Sequence, residues 1–179
     1  MNDYRLIAVD IDGTLLSSQS VLTERTKFAV RRLIDRGMIF VLSTGRPYQG
    51  IRKFVDALNL NDMPYILYNG AMVMAGGKVI YSLTMPAAVA REIADEGHKS
   101  NSTMICWSDN RLYAEKDCDK VAFYKSISGV EPIFIDDLGT LADQGITKFV
   151  WYDDVDSTNR NFARLTAEMG DRVNVHPSR

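Results

Sequence analysis

Asp10-Ile11-Asp12-Gly13-Thr14 directly follows an apolar run, Leu6-Ile7-Ala8-Val9. Two carboxylates two residues apart at a strand's mouth repel each other, and a bound cation relieves that repulsion. Magnesium suits such a place, since it takes a few carboxylates and completes its shell with water and phosphate oxygens. There Asp10 can attack phosphorus, while Asp12 protonates the leaving oxygen and later activates water. Gly13 permits the sharp turn that brings Asp12 back over the site. Two plainer readings compete: an ordinary Asp-Gly turn with surface aspartates, and a calcium loop opening D-x-D. The calcium pattern fails further on, with Leu15 where glycine is required and Val21 where glutamate is.

Two more polar stretches have the same position relative to apolar runs. Ser43-Thr44-Gly45-Arg46-Pro47 follows Met38–Leu42. Its Thr44 offers a hydroxyl, Gly45 an accessible backbone N–H, and Arg46 a fork for phosphate oxygens. A helix opening near Pro47 aims further free N–H groups at the same mouth. The plainer reading is a loop with a capping threonine and a solvated arginine. Asn69-Gly70-Ala71 closes a third run, Tyr65–Tyr68, and by itself is only a turn. The conjunction decides: three polar loops at three adjacent strand ends converge on one pocket.

The elements that place these loops are legible in the apolar pattern. Leu6–Val9 reads as a strand covered on both faces. From a capping Thr23, Phe28, Val30, Leu33 and Ile34 keep helical spacing until Gly37. Ile51, Phe54, Val55 and Leu58 mark a second helix. Strand, helix, strand, helix, strand at these spacings predicts a parallel βαβαβ unit. After residue 70 the pattern changes. Met72–Ser82 predicts a hairpin around Gly76-Gly77, and Pro86 opens a helix with Val89, Ile93 and Ala94. Met104–Ser108 and Arg111–Ala114 flank a turn at Asp109-Asn110. A strand over Ile146–Tyr152, a helix through Phe162, Leu165 and Met169, and a last strand Arg172–His176 follow. This second half reads as an antiparallel α+β module, with the boundary near residues 83–86.

Composition narrows the class. The 179 residues carry 21 Lys+Arg against 23 Asp+Glu, a net charge of -2, which argues against a surface built for nucleic acid or anionic lipid. At 46% apolar the chain can bury a real core. No run approaches the ~18 apolar residues of a membrane span, and Asp10 interrupts the only N-terminal apolar stretch, so no secretory signal is visible. Cys106 and Cys118 are too few for a disulfide scaffold and lack metal spacing. A cytoplasmic α/β protein is the expectation.

LIAVDIDGTLL, FVLSTGRPY and YNGA, in that order, resemble the Cof-type branch of the haloacid dehalogenase-like phosphatases, and the alternation after residue 85 is similar to that branch's αβ cap. The resemblance implies a Rossmann-like α/β core begun by residues 1–84 and an α+β cap over 85–179. It implies Asp10 as the nucleophile forming an aspartyl-phosphate and Asp12 as the general acid/base. Thr44 would hold the phosphoryl group, and Gly45, Arg46, Asn69 and Gly70 would line its phosphate and substrate side. Mg2+ would be contacted by the Asp10 carboxylate and the Asp12 backbone carbonyl. The implied activity is a magnesium-dependent phosphatase of small phosphorylated metabolites, plausibly sugar phosphates; a phosphomutase is the nearby alternative.

The same resemblance implies a helix-borne lysine and a GDxxND-like acidic motif after the cap. Here the chain reaches Val175-His176-Pro177-Ser178-Arg179 where the cap should be finishing. Gly170-Asp171-Arg172-Val173-Asn174 lacks the final aspartate and follows a helical pattern, so it reads as a helix-end turn. Lys148 lies within a strand and reads as cap surface. The expectation is therefore a phosphatase core truncated at its C-terminus or completed by another chain, with an unpaired apolar sheet edge open to self-association. A fragment that binds phosphate ligands or a partner chain without turnover is the alternative. His98 and His176 read as surface histidines without metal-ligand spacing. Trp107, Trp151 and Tyr152 read as packing residues, and Asp153-Asp154-Val155-Asp156 as a solvated loop with a helix cap.

Overall fold

The computed structural model describes residues 4–177, so Ser178 and Arg179 lie outside the described residues. Backbone contacts divide the chain into two compact units, Met1–Leu83 and Thr84–Arg179.

The first unit contains β1 (Leu6–Val9), α1 (Glu24–Asp35), β2 (Ile39–Ser43), α2 (Tyr48–Leu58), β3 (Tyr65–Leu67), β4 (Met72–Ala75) and β5 (Lys78–Ser82). They form one sheet in the order β1-β2-β3-β4-β5, with β1, β2 and β3 parallel as expected from the alternating strand and helix signals. Thr23 Oγ1 accepts the Thr26 N–H at 3.2 Å and starts α1; such a cap stabilises a helix by about 1 kcal/mol. Pro47 precedes α2, whose Ile51, Phe54, Val55 and Leu58 are all buried. Gly76 and Gly77 both have positive φ, which the tight β4–β5 turn requires. The outer side of β1 pairs with no strand among the described residues. There Leu6 and its register partner Ile39 are 51% and 44% exposed.

The second unit contains α3 (Ala87–Lys99), β6 (Thr103–Ser108), β7 (Arg111–Ala114), α4 (Asp119–Ser128), β8 (Ile133–Phe134), β9 (Ile146–Tyr152) and α5 (Val155–Met169), with sheet order β8-β7-β6-β9. One sheet face carries Met104, Cys106, Tyr113, Phe149 and Trp151. These residues pack with Ala90 and Ile93 of α3, with Leu138, Leu141 and Ala142 of a 3-10 segment, and with Met169 of α5. Gly97 lets α3 approach β6, because a Cβ there would collide with Met104 Sδ. On the other face Trp107 is fully buried and its Nε1–H donates to Tyr124 Oη of α4 at 3.0 Å. Trp107 is thus a packing residue, as expected. Lys148 pairs in register with Trp107 and is half-buried rather than lying on open surface; burial pushes its ammonium pKa down.

Two further expectations need correction, and one helix lies outside the sequence reading. The module is not purely antiparallel, because β8 runs parallel to β7. No strand forms over Arg172–His176. The Arg172 and Val173 N–H groups donate back to the Met169 carbonyl, ending α5 in a turn, and Arg172 is held by Glu92 at 2.6 and 2.9 Å. A strand needs a partner, and these N–H groups are committed to the helix end. The helix α4 was not foreseen, because Asp119–Ser128 has only one buried large apolar residue, Val121, and hence no readable stripe. No helix of the described residues is long and apolar enough to cross a membrane.

Candidate functional site

The carboxyl ends of β1, β2 and β3 carry the three polar loops predicted to converge. After Val9 the backbone leaves β1 at Asp10 in extended conformation and turns through Asp12 and Gly13, with Gly13 at φ +78. Leu15 N–H donates to the Asp10 carbonyl at 3.0 Å and closes the turn. Ile11 and Leu15 point into the core, which leaves Asp10 and Asp12 outward. Anchoring by Ile11 and Leu15 is what keeps the two carboxylates out of the core.

The loops after β2 and β3 are tied to each other. Asn69 N–H donates to the Thr44 carbonyl at 3.1 Å, and Tyr68 N–H to the Arg46 carbonyl at 3.3 Å. Tyr68 and Asn69 both occupy left-handed backbone, at φ +51 and +56. That conformation is costly for a bulky residue and persists where surrounding bonds impose it. Gly45 is the point of closest approach: a Cβ there would stand 2.7 Å from Asn69 Oδ1. Any other residue at 45 would push the Asn69 amide away.

Asp10, Ser43, Thr44, Gly45, Ile66, Asn69 and Gly70 line an open concavity of about 530 Å³. Thr44 is buried, and its Oγ1 accepts the Arg46 N–H at 3.3 Å, which leaves its own O–H free to donate into the concavity. It does not cap α2; Pro47 holds that position. The Asp10 side chain is exposed and makes no hydrogen bond or ion pair among the described residues. An uncommitted carboxylate facing hydroxyl, amide and backbone donors is an arrangement suited to an anion approached by a nucleophile.

Asp12 and Arg46 are arranged differently from the sequence reading. The Arg46 fork is engaged by Asp12: Nε donates to Oδ2 at 2.8 Å and Nη2 to Oδ1 at 2.6 Å. The hydrogen bonds from Arg46 hold the Asp12 carboxyl below its usual range, with the charges of Arg46 and Lys53 adding to the effect against partial burial. Arg46 is raised in turn, first by its hydrogen bond to Asp12 and then by the charges of Asp12 and Asp10. Arg46 is therefore not a solvated loop residue, and in this geometry its fork does not face the concavity unoccupied. Lys53 of α2 was missed. The signal for it was its place directly before Phe54 on α2; its Nζ lies 4.9 Å from the Phe54 ring centroid, and Arg46 shares that ring at 5.7 Å.

As a donor set for Mg2+, the Asp10 carboxylate fits: it is exposed, uncommitted and anionic. The Asp12 carboxylate is taken by Arg46, so the backbone of Asp12 is the part of that residue left for a cation.

Residues 7–179 match the family model of haloacid dehalogenase-like hydrolases. A Buchnera aphidicola protein named "Putative phosphatase" is 34% identical over 134 residues, covering 73% of this chain and 50% of its own. The Bacillus subtilis 5-amino-6-(5-phospho-D-ribitylamino)uracil phosphatase YwtE is 31% identical over 114 residues, with 63% and 39% covered. The crystal structure of TM0651 from Thermotoga maritima superposes with a TM-score of 0.85 at 26% identity, over 99% of this chain and 67% of that one. The chain spans about half the length of the curated relatives it matches. With its strand-end loops, its parallel β1–β3 sheet and the match running from residue 7 onward, this chain belongs to the haloacid dehalogenase-like hydrolase family.

Proposed function

We propose that the chain is a phosphatase of small phosphorylated metabolites of the sugar-phosphate class, acting in the cytoplasm through an aspartyl-phosphate at Asp10. The observation that carries this reading is the uncommitted Asp10 carboxylate on a concavity also lined by Thr44, Gly45, Asn69 and Gly70. Met1–Leu83 would be the first part of the catalytic core and Thr84–Arg179 the cap. A phosphoryl group in the concavity accepts hydrogen bonds from the Thr44 hydroxyl, the Asn69 amide and the backbone at Gly45 and Gly70. The Asp10 carboxylate attacks phosphorus, and the bond to the leaving oxygen breaks as Asp12 supplies its proton. Asp12 then takes a proton from the water that attacks the phospho-aspartate, which restores free Asp10 and releases phosphate. For this role Asp12 must leave the Arg46 fork and take up a proton from solvent before the leaving oxygen departs, and an incoming phosphate is a competing bidentate partner for that fork. The Asp10 carboxylate and the Asp12 backbone carbonyl would hold Mg2+, which when bound neutralises charge on the phosphoryl oxygens.

A second reading is favoured by one specific observation. Among the described residues no strand pairs with the outer side of β1, where Leu6, like Ile39 beside it on β2, is exposed, and this suits a partner strand from another chain or a second copy. In that reading the chain alone binds phosphate without turnover. The test is hydrolysis of p-nitrophenyl phosphate and a sugar-phosphate panel, with and without Mg2+, by the wild type and by Asp10→Asn. We expect magnesium-dependent turnover that falls by roughly two to three orders of magnitude or more in Asp10→Asn. Activity surviving that substitution would sink the nucleophile assignment. Saturable phosphate binding without turnover in the wild type would select the second reading.

A further inference from the structure

The second unit brings together three side chains that lie far apart in the chain: His98 in the last turn of α3, Glu115 just after β7, and Asp137 before the 3-10 segment Leu138–Gln144. One ligand atom from each lies within 4.8 Å of the other two. His98 Nε2 stands 2.9 and 3.0 Å from the two Glu115 oxygens. From these residues we propose a divalent transition-metal site of the zinc class, formed by His98, Glu115 and Asp137.

Charge balance is the first argument. The Glu115 side chain is only 9% exposed. A desolvated carboxylate is costly without a positive partner. Among the described residues no lysine or arginine pairs with Glu115 or Asp137, and His98 is the sole cationic candidate beside them. Two carboxylates thus face at most one positive charge. A divalent ion would neutralise both.

Orientation is the second argument. The Leu138 N–H donates to Glu115 Oε1 at 2.9 Å, and the Gly139 N–H to Asp137 Oδ1 at 2.7 Å. Each carboxylate is therefore fixed by one oxygen to the same short backbone segment, the outer-shell support that metal ligands usually show, and the second Glu115 oxygen faces His98 Nε2, its fellow ligand, at 3.0 Å. The chemistry of the set, one imidazole nitrogen and two carboxylate oxygens, suits Zn2+ or a neighbouring first-row ion better than Mg2+ or Ca2+. Tetrahedral zinc with bonds of ~2.0–2.2 Å places its donors about 3.4 Å apart. The present separations, from 2.9 Å to the 4.8 Å limit, bracket that value. Shifts of about 1 Å in His98 and Asp137, both exposed, would close the site. With the His98 side chain 43% exposed, water can take the remaining position. Sequence spacing gave no hint of the set, because the ligands come from three separate elements.

The test uses the full chain, stripped of metal by chelation and titrated with Zn2+ by calorimetry in millimolar Mg2+. We expect one Zn2+ per chain. His98→Gln, which retains an amide donor toward Glu115, and Asp137→Asn should each weaken binding roughly tenfold or more, with unchanged circular dichroism. Asp10→Asn should bind Zn2+ as the wild type does, which separates this site from the proposed phosphatase centre. The chain has only two histidines, so imidazole NMR gives an independent readout: the His98 ring signals should shift on Zn2+ addition while those of His176 stay in place. Absence of Zn2+ binding, undiminished affinity in His98→Gln, or unperturbed His98 signals would overturn the proposal and leave a plain His98–Glu115 ion pair.

Discussion

The two units use their polar groups in opposite ways. In the first, Asp10, Thr44, Asn69 and Gly70 sit at strand ends around an open concavity, and the Asp10 side chain makes no hydrogen bond or ion pair among the described residues. In the second, polar side chains hold the structure together: Ser102 Oγ donates to Asp153 at 2.6 Å, Ser108 Oγ to the Gly145 carbonyl at 2.8 Å, Arg172 grips Glu92, and Arg164 pairs with Glu96. The sheet faces differ likewise. Trp107 in the second unit is sealed between sheet and α4, whereas Leu6 of β1 and Ile39 of β2 in the first face solvent, and β1 has no outer partner strand among the described residues. The Asp10 carboxylate is available for chemistry as it stands, whereas the pairs just named in the second unit serve stability.

Trp107→Ala should strike this contrast hardest. It removes a fully buried indole and strands the Tyr124 hydroxyl, so denaturant unfolding should show a loss of about 3–5 kcal/mol. Asp10→Asn, exposed and unbonded, should move stability by no more than ~0.5 kcal/mol. Equal losses would break the comparison.

Tyr65→Phe probes the committed part of the first unit. The Tyr65 hydroxyl donates to the Leu60 carbonyl at 2.6 Å in a buried position, so its loss should cost roughly 1–3 kcal/mol. Burial pushes the Tyr65 phenol up to about 12. An unfolded tyrosine ionises near ~10. Below that pH the contribution is complete; as pH rises from there through the folded value the unfolded state gains by losing its proton, and stability falls. Unfolding free energies measured from neutral pH to above that window should show the decline in wild type and a weaker one in Tyr65→Phe.

The helix caps should erase the contrast. Thr23 in the first unit and Asp154 in the second each accept a backbone N–H, at 3.2 and 2.8 Å. Thr23→Ala should cost about 1 kcal/mol in thermal or chemical unfolding, and Asp154→Ala should lower the unfolding midpoint in the same direction. A cap is a local device, indifferent to the unit it serves.

Arg46→Ala should give the smallest change in stability. Asp12 is 56% exposed on its side chain, so the pair stabilises by less than about 1 kcal/mol. Its sign is defined by the depressed Asp12 carboxyl: the contribution is present above the unfolded carboxylate value and is lost as pH falls through the lowered folded one. A carboxyl-carbon NMR titration should show Asp12 titrating at higher pH in Arg46→Ala than in wild type.

Much of the first unit was legible because its signals are local. Apolar runs ending at Asp10, Ser43 and Asn69 placed the three loops, and the spacing of Ile51, Phe54, Val55 and Leu58 placed α2 with its buried face correct. The second unit was less legible where local signals thin out. α4 has no apolar stripe, β8 is two residues long, and Arg172–His176 has strand-like residues without a strand partner. Its ionisable clusters were invisible, since His98, Glu115 and Asp137 are neighbours only after α3, β7 and the 3-10 segment have packed.

By itself, then, the sequence determined the alternation of parallel strands and helices, the cap at Thr23, a cap within Asp153–Asp156, and the order of the polar loops at the strand ends. Each of these depends on residues within a few positions of one another. Tertiary structure alone decided that Arg46 closes on Asp12 across 34 residues, that Asp10 is left free, and that Trp107 rather than Trp151 is wholly buried. The reason is physical: periodicity and capping act along the chain, whereas the partner of a charge and the burial of a ring depend on which surfaces meet when the sheets and helices pack.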